Sequence, residues 1–414
     1  MSEYINNASQ RKETLKGLIR DLHAGGDLEE IKTRFGRLVR DVSAVEIAQM
    51  EQELIDEGLP VEEVKALCDV HVAVFQQSLD AQESPETTSQ GTGIKPGHPV
   101  HTFKYENFAA SEVLTLLEEA VKDLPDGNAW PRTQMHLEQL AEIEKVYRRK
   151  ENLLFPYLEK HGVSGPSSVM WGIHDDVRAE LRELRQATEA KDQTRVQEIL
   201  PPMAEAIRQM IYKEENILYP TSLRVLSDAE WAAIRDQSDE IGYCLIRPGD
   251  QWQPAEAADA AEEAGVEAAA PAAPAAGAQL PLDTGALSPE QINLVLKHLP
   301  IDVTFIDETD TVRYYSQGPD RIFDRTPAII GRKVQNCHPP QSVHVVNRLL
   351  ETFRNGERDV AEFWIQMGPK FVHIRYYAVR DGEGHYRGTI EVTQDIAPLR
   401  ALEGERRLLD EALK

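Results

Sequence analysis

Apolar residues recur at three- and four-residue strides through LKGLIRDLHAGGDLEEIKTRFGRLVRDV and EGLPVEEVKALCDVHVAVFQQSL, the spacing that gathers them on one face of an α-helix. Residues 1–78 therefore read as an all-α unit, interrupted at Gly25-Gly26, with Asp27 as an N-cap and Pro60 opening a further helix. The same stride returns in four segments near 98–123, 131–160, 166–190 and 200–226. Their short connections predict an antiparallel four-helix bundle within 97–248. Past residue 288 the period drops to two, because VTFIDETDTVRYYS, AEFWIQM, KFVHIRYYAVRD and HYRGTIEVTQDI alternate around turn-forming residues. That predicts an α+β unit over 288–400, an antiparallel sheet with the helical segment IGRKVQNCHPPQSVHVVNRLLETFRNG between its halves. Residues 401–414 close the pattern as an amphipathic helix.

Two stretches carry no period. SLDAQESPETTSQGTGIKPG separates the first unit from the second. From Gln251 to Leu287 there are six acidic residues and no basic one, with 14 alanines in 251–280, which reads as a solvated linker over 251–287.

Charge narrows the function classes. Lys plus Arg number 45 against 70 Asp plus Glu, a net −25, so nucleic acid and anionic lipid are repelled on average. No apolar run reaches the ~20 residues of a membrane span, and MSEYINNASQRKETLKG lacks a signal-peptide layout. A cytoplasmic protein is expected, with no nucleic-acid or membrane partner. Cys68, Cys244 and Cys337 suit reduced thiols better than a disulfide framework. Cys68 and His71 stand one helical turn apart, as two ligands of a soft metal could, but with no second pair nearby they read as helix-packing or surface positions.

The most informative feature is an internal repeat, in which Glu151-Asn152-Leu153-Leu154-Phe155-Pro156 recurs as Glu215-Asn216-Ile217-Leu218-Tyr219-Pro220. Each proline marks a kink or a last turn. If the repeat relates helix two to helix four, helix one should match helix three, and each holds a histidine. His101 strides with Tyr105 and Phe108; His174 strides with Met170, Ile173, Val177 and Leu181. Two imidazoles and two carboxylates facing a bundle core suit a non-haem iron or manganese site, mono- or dinuclear. The set is His101, Glu151, His174 and one of Glu214 and Glu215, with His98 either a further ligand or part of the first turn. Lys150 cannot ligate while charged, which leaves Glu151 on helix two. The plainer alternative is satisfied core histidines and helix-end glutamates.

In the third unit Cys337-His338-Pro339-Pro340 and His344 offer axial haem ligands, or simply shape a connector. The aromatics Phe305, Tyr314, Phe363, Trp364, Phe371 and Tyr376 read as sheet packing. No GxxxxGK[ST], HExxH or GxSxG occurs, and the stretch after Ile396 is too short for an output enzyme domain. Any signal is therefore expected to leave through a partner or through self-association.

At HPVHTFKYEN, RRKENLLFPYLEKHG, VMWGIHDD and IYKEENILYP the second unit resembles the hemerythrin-like, or HHE cation-binding, domains. The resemblance implies a four-helix bundle holding non-haem iron. It also implies a histidine about a turn before the carboxylates of helices two and four, where this chain has Val146 and Met210, so a mononuclear, ligand-poor or vestigial site follows. Residues 288–400 resemble a PAS domain through the opening hairpin, the IIGRKVQNCHPP connector, three long strands and the closing QDI. Such domains bind small molecules or proteins against a curved sheet and pass a change to a flanking helix. The whole order, with LCDVHVAVF in the first unit, resembles the prokaryotic domain of unknown function 438 family. Together these imply a cytoplasmic sensor or signalling adaptor in which bundle iron responds to oxygen, nitric oxide or redox state. The PAS unit would relay the change to an unidentified signalling protein, with a homodimer through the PAS unit and C-terminal helix. The alternatives are an iron-dependent redox enzyme, handling iron or removing peroxide or nitric oxide, and an interaction scaffold whose metal site has decayed.

Overall fold

The computed structural model describes residues 93–163, 165–254, 279–319 and 321–404, with eight helical positions between 13 and 34. The chain divides into two compact units, Met1–Ala258 and Asp259–Lys414. Most of the predicted 1–78 unit, Cys68 and His71, the centre of the linker and most of the 401–414 helix lie outside the described residues.

The first unit is a helical bundle. Its first rod is α1 (Pro99–Lys122); the second runs α2 (Ala129–Ala141), α3 (Glu144–Arg149), a π-helical turn (Lys150–Leu154) and α4 (Phe155–Lys160). The third is α5 (Gly165–Glu189), and the fourth runs α6 (Gln193–Lys213), a second π-turn (Glu214–Leu218) and α7 (Tyr219–Val225). Each rod packs on the next and the fourth on the first. One core threads all four, with Phe103, Leu114, Leu140, Val177, Leu184 and Met203 among its members.

Three details differ from the sequence reading. The fourth rod starts at Gln193 rather than near 200, because the Asp192 side chain accepts the Arg195 amide and caps it. Pro201 and Pro202 lie inside that helix on its exposed side. A fifth helix, α8 (Asp228–Ile241), opens with a Ser227/Glu230 capping box and buries Trp231, Ile234 and Ile241. The predicted linker starts later than Gln251, since Trp252 hydrogen-bonds the Pro96 carbonyl through its amide and sets its ring against His98.

In the second unit β1 (Leu280–Pro281) pairs with β2 (Ala286–Leu287), and α9 (Pro289–His298) follows. The sheet comprises β3 (Asp302–Asp307), β4 (Val312–Tyr315), β5 (Val360–Met367), β6 (Lys370–Arg380) and β7 (Tyr386–Asp395), and α11 (Ala397–Arg400) follows β7. It is antiparallel with strand order β4-β3-β7-β6-β5. Helix α10 (Pro340–Arg354) connects β4 to β5. Gly388 is required where β7 meets β3: its φ is +140°, and a Cβ there would stand 2.1 Å from the Ile306 carbonyl oxygen. The aromatics do not all pack. β5 is an edge strand, and Phe363 and Trp364 remain 45% and 61% exposed on it.

Candidate functional site

The sequence repeat folds twice into the same unusual turn. Pro156 and Pro220 lack an N–H and crowd the carbonyl four residues back, which disfavours regular α-helical bonding through each of these turns. The backbone widens instead: Phe155 N–H reaches the Lys150 carbonyl and Tyr219 N–H the Glu214 carbonyl, five residues back. Asn152 and Asn216 donate from their side chains to the carbonyls of Arg148 and Tyr212, each at 2.9 Å. One consequence is that Arg149, Lys150 and Glu151, consecutive and charged, are all buried.

Each of the three finds a different partner. Arg149 pairs with both oxygens of Glu106 on α1, and its guanidinium lies 4.8 Å from the Phe103 ring and 4.7 Å from that of Tyr243. The Cys244 amide donates to the same carboxylate at 2.7 Å. Burial still holds the Glu106 carboxyl above its usual range. Lys150 pairs with Glu214, its counterpart 64 residues on, which also accepts the Tyr219 hydroxyl at 2.7 Å and the Asn107 amide at 3.0 Å. Burial pushes the Glu214 carboxyl up, but the Lys150 ammonium outweighs it and holds the group ionised, below its ordinary value. Glu151 accepts from His174 Nδ1 at 2.7 Å and from Arg178 at 2.8 Å. Burial, reinforced by Lys150, holds His174 far below its ordinary pKa, so the ring is neutral. Its Nδ1 then donates to the carboxylate, and Nε2 is a buried acceptor with no partner among the described residues. Tyr147 stacks on the ring at 3.9 Å.

The predicted metal set is therefore brought together only in part. His174, Glu151 and Glu214 share the core, and of the two candidate glutamates Glu214 points inward. Glu215 is half-buried, its carboxyl raised by burial and drawn down by Lys104. His101 is half-buried on the outer side of α1, where Tyr105 and Phe108 are 55% and 60% exposed. The inward stripe runs instead through Phe103, Glu106 and Asn107. Phe103 stacks on Tyr219 as His174 stacks on Phe155, so Phe103, not His101, is the counterpart of His174. Val146 lies in the apolar core, and it is Tyr147 that meets His174.

His98 is a cap. Its Nδ1 accepts the Val100 amide at 3.1 Å, and its ring sits between Trp231 at 4.8 Å and Trp252 at 4.7 Å. Burial lowers its pKa to about 4, against the partial pull of Asp228. An unfolded chain takes up this proton near pH 6.5, so stability is full above that pH and falls with acidification towards pH 4, by up to about 1.4 kcal/mol per pH unit. The expected result is that His98→Asn, which keeps a cap acceptor, flattens the urea-midpoint profile between pH 6.5 and 4. An unchanged slope would remove His98 as its source.

Iron does not fit this donor set. Each buried carboxylate already faces a basic side chain of the chain itself: Glu106 faces Arg149, Glu214 faces Lys150, and Glu151 faces Arg178. A divalent ion would add uncompensated charge to a dry core. Among the described residues no group of three or more His, Cys, Asp or Glu is arranged to hold a metal.

The second unit holds a cavity of about 550 Å³ between α10 and the sheet. Ile306, Val312, Val346 and Leu350 give it apolar walls, and Tyr376 and Glu391 line its sheet side. Cys337 and His338 lie on its wall, whereas the exposed His344 does not line it. His338 Nδ1 donates to the Val334 carbonyl at 2.8 Å, and burial lowers its pKa. The neutral ring keeps Nε2 as an acceptor.

No helix among the described residues is long and apolar enough to cross a membrane. No curated protein matches the chain. Among solved structures, the C-terminal domain of a Streptococcus mutans protein is 41% identical over 30% of this chain and 98% of its own length, with a TM-score of 0.29. A sensory box sensor histidine kinase from Vibrio cholerae is 11% identical over 25% of this chain and 87% of its own, with a TM-score of 0.20. The PAS domain of a Colwellia psychrerythraea protein is 12% identical over 26% and 97%, with a TM-score of 0.22. Family models match at residues 15–81 (Family of unknown function, DUF438), 98–222 (Hemerythrin HHE cation binding domain) and 292–397 (PAS domain). In chain order, the protein joins a DUF438 segment, a hemerythrin HHE domain and a C-terminal PAS domain.

Proposed function

We propose that the protein is a signalling sensor or adaptor whose responsive element is the PAS-unit cavity, with the helical bundle as an ion-paired structural module. The carrying observation is the cavity itself, about 550 Å³ with apolar walls and a few polar groups, within the ~300–1,000 Å³ of small-molecule sites. A route out of it exists. Glu391 on its wall belongs to β7, and at the end of β7 the Asp395 carboxylate accepts the amides of both Phe371 and Ala397 at 3.0 Å. The Ile396 amide bonds the Phe371 carbonyl, and Arg400 of α11 lies 4.0 Å over the Phe371 ring. A shift in β7 on ligand binding is thereby passed to α11 and on to a signalling partner or a second copy. The carboxylates that an iron-based switch in the bundle would need are engaged by Arg178 and Lys150.

Protein purified under native conditions and then denatured should release a small molecule identifiable by mass spectrometry. Val346→Trp, which fills the cavity from α10, should release none while keeping its circular dichroism. Equal release from both proteins would place the molecule elsewhere and reject the cavity as the responsive element.

A further inference from the structure

The repeat sets a base and an acid at one and the same position of its two copies, and folding brings Lys150 and Glu214 together in the core. Around them the groups of a metal site are present but turned to other uses. Glu151 accepts a hydrogen bond from His174 Nδ1–H, which is how a carboxylate orients a ligating imidazole. The opposite nitrogen, Nε2, is buried and has no partner among the described residues. Glu214 is held by Tyr219 and Asn107, so its position does not depend on Lys150 alone. The ammonium lies 4.8 Å over the Tyr147 ring, the same ring that stacks on His174, and its charge acts on the imidazole.

We propose that Lys150 is the resident cation of this bundle: its ammonium occupies the ground between the two π-turns and makes a member of a cation-binding domain family independent of metal. Taking away that one charge leaves a neutral imidazole with a free Nε2 and an uncompensated carboxylate, a nitrogen and oxygen set of the kind that zinc, iron and manganese accept. The inference concerns the bundle and stands apart from the role assigned to the PAS cavity.

The test uses the full chain as wild type, His174→Ala, Lys150→Gln and the double variant Lys150→Gln/His174→Ala. Each is incubated without oxygen with Fe(II) or, separately, Zn(II), desalted and analysed for metal. Wild type should retain only a trace, Lys150→Gln about one ion per chain, and the double variant no more than wild type. Zn(II) should raise the melting temperature of Lys150→Gln and leave that of wild type unmoved. About one ion per wild-type chain, lost on His174→Ala, would overturn the proposal, as would a folded Lys150→Gln protein retaining no more than wild type. Should Lys150→Gln not fold unaided, recovery of its helical signal on refolding with Zn(II) supports the proposal, and failure to recover counts against it.

Discussion

Arg149→Met should lower the unfolding free energy of the bundle by about 3–5 kcal/mol, the range for removing one partner of a buried ion pair. The side chains of Arg149 and Glu106 are 1% and 0% exposed, so water cannot replace the guanidinium. The Cys244 amide still donates to the carboxylate, but one neutral donor does not balance a buried anion. The rings of Phe103 and Tyr243 lose the cation between them as well. The loss depends on pH in a defined direction. Burial already holds the Glu106 carboxyl above its ordinary value with Arg149 present, and without Arg149 it rises further. The variant can therefore escape the penalty by protonation, so its deficit is smaller at pH 5 than at pH 8. Urea unfolding followed by tryptophan fluorescence reads this directly, since Trp130, Trp171, Trp231 and Trp252 all belong to the bundle. A deficit below about 1 kcal/mol, the surface-pair range, would mean that the pair is wet.

The second large effect lies in a double-mutant cycle at Lys150 and Glu214. Lys150→Met alone strands the Glu214 carboxylate, and Glu214→Gln alone strands the ammonium, both in full burial. Each should cost about 3–5 kcal/mol. The double variant buries no charge at this position, and the glutamine carbonyl still accepts from Tyr219 and Asn107. It should lie within about 2 kcal/mol of wild type, so the two single losses do not add. Additive losses would show that the groups act separately.

The bundle was legible in the sequence because its apolar strides and its repeated proline are local signals, and the sheet because strand alternation and turn residues are local too. The direction of each charged side chain was not. On a regular helix Arg149, Lys150 and Glu151 would fan away from one another and some would reach water; the π-turn lets all three be buried, and its extra residue shows only as a proline after Glu-Asn-Leu-Leu-Phe. His101 misled for a related reason. It shares a stride with Tyr105 and Phe108, but those aromatics are on the exposed face, while the polar Glu106 and Asn107 carry the inward stripe with Phe103. The usable clue was the repeat read position by position, which sets Lys150 against Glu214. Arg178 lies outside the repeat; it stands four residues beyond His174, a spacing that puts the two on one face of α5. The capping role of His98 depended on Trp252, a contact made from more than 150 residues away.

The two π-turns also decide which half of the bundle can recognise which. A bundle assembled from two copies of the first half would set lysine against lysine at its centre, and one from two copies of the second half would set glutamate against glutamate. Either arrangement buries like charges, whereas the native union of unlike halves buries a neutral pair. The central ion pair is thus a matching rule between halves: it lets a duplicated architecture keep its symmetry of shape while forbidding each half to satisfy itself.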